Sequence, residues 1–470
     1  MAARKRIQRL IMPSRPPGSP GGIVLATALH FCKPTPAFAP LLRQFRFLHY
    51  RRTNKSQFGR NDTMSKRTLV SLGVAATTAM LAALPAQAQF TDGSVKIGVL
   101  TDMSGPYSGM GGPGSVVAAQ MAIDDCLAAE CKGMKIELIQ ADHQNKADIG
   151  AATARQWLEQ DKVDAMVDLT NSSVSLAVQK LIKEKGGIAM YSGPATTRLT
   201  NDDCAANGFH WMFDTYSQAA VGAAALTKLG LKNWYFITVD YAFGHSLEKD
   251  AGDQVTANGG TVLGAVRHPL NNSDFSSFLL QAQGSKAQVI GLANGGQDTV
   301  NAIKQAKEFG IGGKDQKLAA LLVFLSDVHA LGLPTAQGLS YADGFYWDAD
   351  DDTRALATRF EAKVKGAKPT MVQAGVYSST LHYLRSVTAS GTDDWQKVSA
   401  TMRKLPIKDP VMKNASIRPD GRVIHDMYVY EVKAPQESKY PWDYLKKVGT
   451  VPAAEAFQPL AKSTCPLVKG

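Results

Sequence analysis

Acidic residues are all but missing from the first 63 positions. Twelve arginines and lysines, from Arg4 to Arg60, stand there against Asp62 alone. With several prolines and no sustained periodicity, this stretch is not expected to fold as a domain. It also carries the charge excess of the whole chain, whose formal net charge is +11. Of 52 basic and 41 acidic residues, 14 basic and one acidic fall before residue 89, so the remainder is close to neutral. A near-neutral body argues against binding to nucleic acid or to an anionic membrane surface.

Long apolar runs are scarce as well. The run over positions 68–84 is too short, and too rich in Ala and Thr, for a membrane-spanning helix. It follows Met64-Ser-Lys-Arg67 and precedes Pro85-Ala-Gln-Ala88. A basic start, an apolar middle and an Ala-x-Ala end make a Sec-type secretion signal over 64–88. The mature chain is then expected to begin at Gln89, with Met64 as the initiator and residues 1–63 outside the native protein. A mitochondrial presequence or a nucleic-acid-binding arm would also explain the basic stretch, but neither fits a Sec signal directly after it. No cysteine follows the cleavage site to take a lipid anchor, and Lys66-Arg67 is not a twin-arginine motif. A soluble protein exported to a periplasm is the expectation.

Cysteine is scarce, with five in 470 residues. Cys126, Cys131, Cys204 and Cys465 follow the expected cleavage site. An even number in an exported chain allows disulfides, and four cysteines allow three pairings. Cys126 and Cys131 are close in sequence, at the end of an expected helix. Cys204 and Cys465 are left as a long-range pair that would tie down the tail. With no CxxC and no histidine cluster, a zinc site is not expected. His143, His245, His268 and His329 are dispersed, and no HExxH occurs. Ser108, in Gly105-Pro-Tyr-Ser-Gly109, is not the GxSxG elbow of hydrolases. Gly109-Met-Gly-Gly-Pro-Gly114 does match GxGxxG. However, about eight residues separate it from the strand before it and a proline sits in the turn, unlike a dinucleotide site. No catalytic residue, cofactor or metal is expected.

What the sequence does have is a long alternation of short β-rich runs with helical stretches. Strands are expected at 95–100, 135–140, 163–169 and 187–191, with helices at 115–129, 147–160 and 173–185 between them. The pattern restarts after Asp214, with strands at 234–239, 261–267, 287–292 and 318–325. Helices are expected there at 216–229, 245–258, 274–283 and 299–309. Residues 344–424 return to mixed helix and strand, with helices near 352–365 and 376–389. Such alternation predicts an α/β protein with parallel sheets covered by helices, and the mature length predicts two lobes. Ligands collect at the carboxyl ends of parallel strands. The loops there read Thr101-Asp-Met-Ser-Gly-Pro-Tyr-Ser-Gly109, Ala141-Asp-His-Gln-Asn145, Thr170-Asn-Ser-Ser173, Ser192-Gly-Pro-Ala-Thr-Thr197, Asp240-Tyr-Ala-Phe-Gly244, Ala293-Asn-Gly-Gly296 and Ser326-Asp327. Their hydroxyls, amides and small residues suit a small polar ligand held partly by backbone N–H groups.

In this order and spacing the loops resemble the Leu/Ile/Val-binding family of ABC-transporter periplasmic substrate-binding proteins, over about residues 93–465. The segments that carry the resemblance are Val95-Lys-Ile-Gly-Val-Leu-Thr-Asp-Met-Ser-Gly-Pro106, Leu169-Thr-Asn-Ser-Ser173, Ser192-Gly-Pro-Ala-Thr-Thr197, Asp240-Tyr-Ala-Phe-Gly244 and Ala302-Ile-Lys-Gln-Ala-Lys-Glu-Phe-Gly310. The resemblance implies two Rossmann-like lobes joined by a three-stranded hinge, with the ligand in the cleft between them. It divides the chain into 89–213 plus about 345–424, and 214–344 plus about 425–470.

The family's carboxylate-binding loop falls on Asn171, Ser172 and Ser173, and its amino-group contacts on Pro194, Ala195 and Thr196. Tyr107 and Met110 join them from the first loop, and Tyr241 and Phe243 would close from the second lobe. Helix capping is the alternative role for the Ser and Thr residues, and loop packing for the two aromatics. Where amino-acid binders often carry aromatics, this chain has Asn294-Gly295-Gly296, which would widen the pocket. No acid is clearly matched to the family's ammonium anchor, Asp327 being nearby. Aromatic carboxylates or amides therefore stand beside branched-chain amino acids as expected ligands. The implied partner is an inner-membrane ABC permease, the expected state a monomer. A periplasmic sensor subunit and an exported enzyme are the alternatives.

Overall fold

The computed structural model describes residues 90–313 and 316–468. The expected signal peptide, the Gln89 start and the basic stretch before them lie outside the described residues.

The first sheet is parallel and five-stranded, in the order β2-β1-β3-β4-β5. Its strands are β1 (Val95–Thr101), β2 (Ile136–Asp142), β3 (Ala165–Asp168), β4 (Ile188–Tyr191) and β5 (Gly208–His210). The connecting helices are α1 (Gly112–Ala128), α2 (Ala147–Gln156) and α3 (Ser172–Lys185). Strand β1 shows why such strands read as unbroken apolar runs. Val95, Ile97 and Val99 join the core beneath α1, while Leu100 joins Trp157, Val174 and Val178 on the opposite face. Both faces are covered, so side chains of either parity are apolar. Gly98 interrupts the run for a steric reason: a Cβ there would stand 2.4 Å from the Trp157 ring. Helix α2 was expected to continue to 160, but from Trp157 to Asp161 the chain widens into a π turn.

The second sheet is parallel and four-stranded, in the order β7-β6-β8-β9. It comprises β6 (Asn233–Val239), β7 (Thr261–His268), β8 (Val289–Ala293) and β9 (Lys317–Ala320). Around it lie α4 (Thr215–Val221), α5 (Ala242–Ala257), α6 (Ser276–Gly284), α7 (Gln297–Glu308) and α8 (Leu325–Leu331). Strand β9 stops at Ala320, short of the expected 325, and the apolar run that follows becomes a loop. A third, antiparallel sheet joins β10 (Ser340–Asp343) to β13 (Met427–Val432) and β14 (Leu445–Val451). A two-stranded ribbon, β11 (Ser416–Ile417) with β12 (Val423–Ile424), completes the strands.

Helix α9 (Met371–Ser390), within 344–424, packs along α1 of the first lobe. Its Gln373 Nε2 donates to the Gly111 carbonyl at 3.0 Å, and Thr370 donates to the Met110 carbonyl at 2.5 Å. Two of the GxGxxG glycines thus serve packing. A Cβ on Gly114 would stand 2.3 Å from Gln373 Nε2, and one on Gly111 would stand 2.8 Å from Asp168 Oδ2.

Three passages join the two lobes as a hinge, between β5 and α4, after β10 and between β12 and β13. Buried Arg422 binds the first to the third. Its Nη1 donates to the carbonyls of His210, Trp211 and Phe213 at 3.1, 2.9 and 3.1 Å. Its Nε lies 3.3 Å from Asp214 Oδ2. His425 Nε2 donates to the Met212 carbonyl at 2.6 Å. A Cβ on Gly344, in the second passage, would stand 3.1 Å from both His425 and Met212.

Disulfides join Cys126 to Cys131 and Cys204 to Cys465. The tail beyond Phe457 lies against the first lobe, where Gln458 accepts from Asn201 Nδ2 at 2.9 Å and Thr464 donates to Asp202.

Arg422→Met keeps the bulk but leaves Asp214 and three carbonyls without their cation. Stability is expected to fall by about 3–5 kcal/mol, as for other buried pairs broken on one side. Urea unfolding measures this, and a loss below about 1 kcal/mol, the range of exposed pairs, would show that the guanidinium does not organise the hinge.

Candidate ligand site

The site is built from loops at the carboxyl ends of both parallel sheets. On the first lobe, Asp102 shapes the loop after β1. Its carboxylate accepts from Gly105 N at 2.7 Å, Tyr107 N at 2.9 Å and Asn145 Nδ2 at 2.8 Å. This turns Tyr107 and Met110 toward the second lobe. Asn171 caps α3, its Oδ1 accepting from Ser173 N at 2.9 Å and Val174 N at 3.2 Å. Ser172 stands at the helix start, and its Oγ accepts from Ala195 N and Thr196 N, each at 3.3 Å. On the second lobe, α5 begins so tightly after β6 that a Cβ on Gly244 would stand 2.0 Å from the Val239 carbonyl. Gly296 has φ +59°, and a Cβ there would stand 2.5 Å from the Pro106 carbonyl of the first lobe. Only glycine fits this close approach.

The two lobes touch through several hydrogen bonds. Tyr107 and Tyr241 share one between their hydroxyls at 2.7 Å. Thr196 Oγ1 meets Ser246 Oγ at 2.8 Å, Thr197 donates to Asp250 at 3.2 Å, and Gln297 N donates to the Pro106 carbonyl at 3.1 Å. Between them they leave a small cavity of about 10 Å³. Its first-lobe wall is Tyr107, Met110, Thr170, Ser172, Gly193 and Ala195, and its second-lobe wall is Tyr241, Phe243, Gly295, Leu322 and Phe324. No charged side chain is among them. Burial raises the hydroxyl pKa of both tyrosines well above the usual value, so both stay neutral.

Of the residues singled out in the sequence, Tyr107, Met110, Ser172, Ala195, Tyr241 and Phe243 line this cavity. The others lie elsewhere. Asn171 is occupied as a helix cap, and Ser173 follows it outside the cavity wall. The Pro194 carbonyl accepts from His210 Nε2 at 2.8 Å. Thr196 holds the interlobe contact with Ser246. Asn294 is buried between His268 and Thr299, at 3.1 and 2.7 Å. Asp327 accepts from Phe324 N at 3.0 Å and lines, with Ser326, a larger adjoining cleft of about 390 Å³ that shares Met110 with the cavity. Thr170, Gly193 and Gly295 stand in loops that had been recognised, yet only the fold shows that they reach the cavity. Leu322 and Phe324 were hidden inside an apolar run that read as strand. Among the described residues no cluster of His, Cys, Asp and Glu could hold a metal, and no helix is long and apolar enough to cross a membrane.

Comparison with known proteins agrees with this architecture. The sequence profile of the periplasmic binding protein family matches residues 94–439. The chain belongs to the Leu/Ile/Val-binding family of ABC-transporter periplasmic binding proteins. A periplasmic binding protein from Burkholderia mallei is 50% identical, with a TM-score of 0.78, over 80% of this chain and 99% of that one. A branched-chain amino acid ABC transporter periplasmic ligand-binding protein from Burkholderia xenovorans is 39% identical, with a TM-score of 0.71, over 80% of this chain and 100% of that one. A solute-binding protein from R. palustris, solved with benzoate, shares the fold at 19% identity and a TM-score of 0.70, over 80% of this chain and 100% of that one.

Asp250 gives the interlobe contact a pH dependence. It accepts from Thr215 at 2.6 Å as well as from Thr197. Burial pushes its carboxyl up to about 6, with Asp214 adding to the rise and Lys249 opposing it. An acid whose pKa is raised on folding favours the folded state most below its unfolded pKa, and this contribution is lost as pH rises through about 6. The melting temperature of the protein relative to Asp250→Asn is therefore expected to fall between pH 4 and pH 7. A constant difference across that range would remove Asp250 from the linkage.

Proposed function

We propose that the protein is a periplasmic solute-binding component of an ABC importer. It captures a small carboxylate with an aromatic or branched apolar body and delivers it to an inner-membrane permease. The observation that carries this is the cavity itself. It lies between the two lobes and is uncharged at its walls, and at about 10 Å³ it is nearly closed, so the lobes would part to admit a ligand. Met110, Phe243, Leu322 and Phe324 supply apolar surface. Ser172 supplies a hydroxyl whose lone pairs already accept two backbone N–H groups, so its proton is free for a ligand oxygen. The start of α3 adds its dipole at the same place. A carboxylate would thus be met by neutral dipoles, without a full counter-ion. The absence of an acid from the wall favours an acid lacking an α-ammonium group, such as the benzoate bound by the R. palustris protein. The branched-chain description of the B. xenovorans relative keeps leucine-like acids in the panel.

Binding would proceed by hinge closure, the ligand populating the closed form through its better fit to that form. The same reading makes residues 64–88 the export signal and the protein a monomer without catalytic activity. The lobes would divide at the hinge passages, with the tail beyond 457 on the first.

The test is a thermal-shift screen after unfolding and refolding to strip carried-over ligand. Branched-chain and aromatic amino acids, benzoate- and cinnamate-type acids and short amides form the panel. A concentration-dependent rise with one acid class is expected, since binding to the folded state alone stabilises by mass action. Ser172→Ala should then weaken that ligand by about 1–3 kcal/mol, read by calorimetry. Turnover of a bound compound would point to an enzyme, and copurification with a receptor kinase would point to a sensor.

A further inference from the structure

The larger cleft beside the cavity has a chemistry of its own. At about 390 Å³ it falls within the ~300–1,000 Å³ of small-molecule sites. Both lobes build it, the first with the loop after β1 and the second with the loop after β7 and the starts of α7 and α8. Among the described residues that line it, Asp327 is the one with a charge, and none is basic. Asp327 is only 5% exposed. Its Oδ2 accepts from Phe324 N at 3.0 Å, while Oδ1 has no partner among the described residues and is not sealed from solvent. A buried carboxylate with an unpaired oxygen is costly unless a proton or a cation meets it. Burial accordingly pushes its carboxyl up to about 7, with the Phe324 amide opposing the rise.

The other polar groups on this wall lean the same way. Ser108 gives its proton to the Gly105 carbonyl at 2.7 Å, and Gln297 gives an amide proton to Asn301 Oδ1 at 2.8 Å. What both have left to offer is mainly lone pairs. Ser326 Oγ is buried without a partner. Pro106, Met110 and Val300 add apolar surface. An acid, several acceptors and an apolar floor, with no base, suit a small organic cation and give an anion nothing to pair with. We infer that the cleft is a second binding site, which takes a small organic ammonium ion that bears no carboxylate, with its nitrogen at Asp327. The neutral cavity and the acidic cleft thus receive different solutes, and a zwitterion such as leucine would bring its carboxylate to a wall without a cation. Because both lobes supply the wall, an occupant also holds them together. The inference goes beyond the solute-binding reading above and does not depend on which acid the cavity takes.

The test is calorimetry with 3-methylbutylamine, which is leucine without its carboxylate, beside leucine and 4-methylpentanoate. The amine should bind at one site, and neither leucine nor 4-methylpentanoate should displace it. In Asp327→Asn, whose side-chain oxygen can still accept from Phe324 N, the amine should bind about ten- to hundredfold more weakly, the worth of a hydrogen bond to a charged group. Ala330 stands exposed on α8 at the cleft wall. Ala330→Trp should therefore block the amine while leaving Asp327 in place, and the melting temperature of each variant separates a lost site from a lost fold. No binding of the amine by the unaltered protein, or undiminished binding by both variants, would overturn the inference, and an acid found by the panel would then leave the solute-binding reading standing. Displacement of the amine by leucine would also overturn it, since the cation would then belong to the ligand of the cavity. Amine binding that both variants weaken, with no acid bound, would uphold the cleft site and sink the carboxylate reading alone.

Discussion

The buried guanidinium of Arg422 is the constraint on which the two-lobed arrangement turns. A hinge cannot use the regular ladder of a sheet interior, because its strands must bend. Its carbonyls need other donors, since unpaired buried polar groups are expensive. Arg422 supplies them to three carbonyls within one turn of chain, and its charge faces Asp214, which also caps α4 by accepting from Ser217 N. The guanidinium carbon lies over the Phe457 ring, 4.2 Å from its centroid. Burial pulls its pKa down to about 10, still far above neutrality. One side chain thus ties together the first passage between the lobes, the start of the second lobe and the third passage. A lysine, with a point charge and no fixed fork, could not hold these partners together.

From that hinge the two sheets present their carboxyl ends to each other. The cavity between them is lined by neutral groups, hydroxyls among them. A hydroxyl can be turned either way in water, so a wall of hydroxyls alone would recognise many ligands weakly. Fixed backbone donors at Ser172 remove that freedom there, and preorganised polar groups discriminate best when water is excluded.

Much of this was legible in the sequence, because parallel sheets leave a plain mark. Both faces of each strand are covered, so strands read as unbroken apolar runs and the loops after them must carry the site. The limits of the reading are equally physical. Asn171, Thr196 and Asp327 have the residue types of a ligand site, but side chains at helix starts are claimed first by the local backbone or by the opposite lobe. The run from Leu318 to Leu325 is apolar throughout, and periodicity cannot separate a strand from a loop that turns its apolar side chains into a cavity. The edge strand β5 has three residues, too few to leave a pattern.

The bond between Cys204 and Cys465 spans 261 positions. Between them the chain leaves the first lobe, builds the second, returns through α9, leaves once more and comes back. The second lobe is therefore an excursion inside a covalent ring whose clasp sits on its neighbour. Force applied at Phe90 and Val468 is carried by the first lobe and the clasp, and the second lobe stays out of the line of tension. With the clasp open, the load path would run through every passage between the lobes. Under the proposed rocking of one lobe against the other, the ring would separate a mechanical frame from a moving jaw.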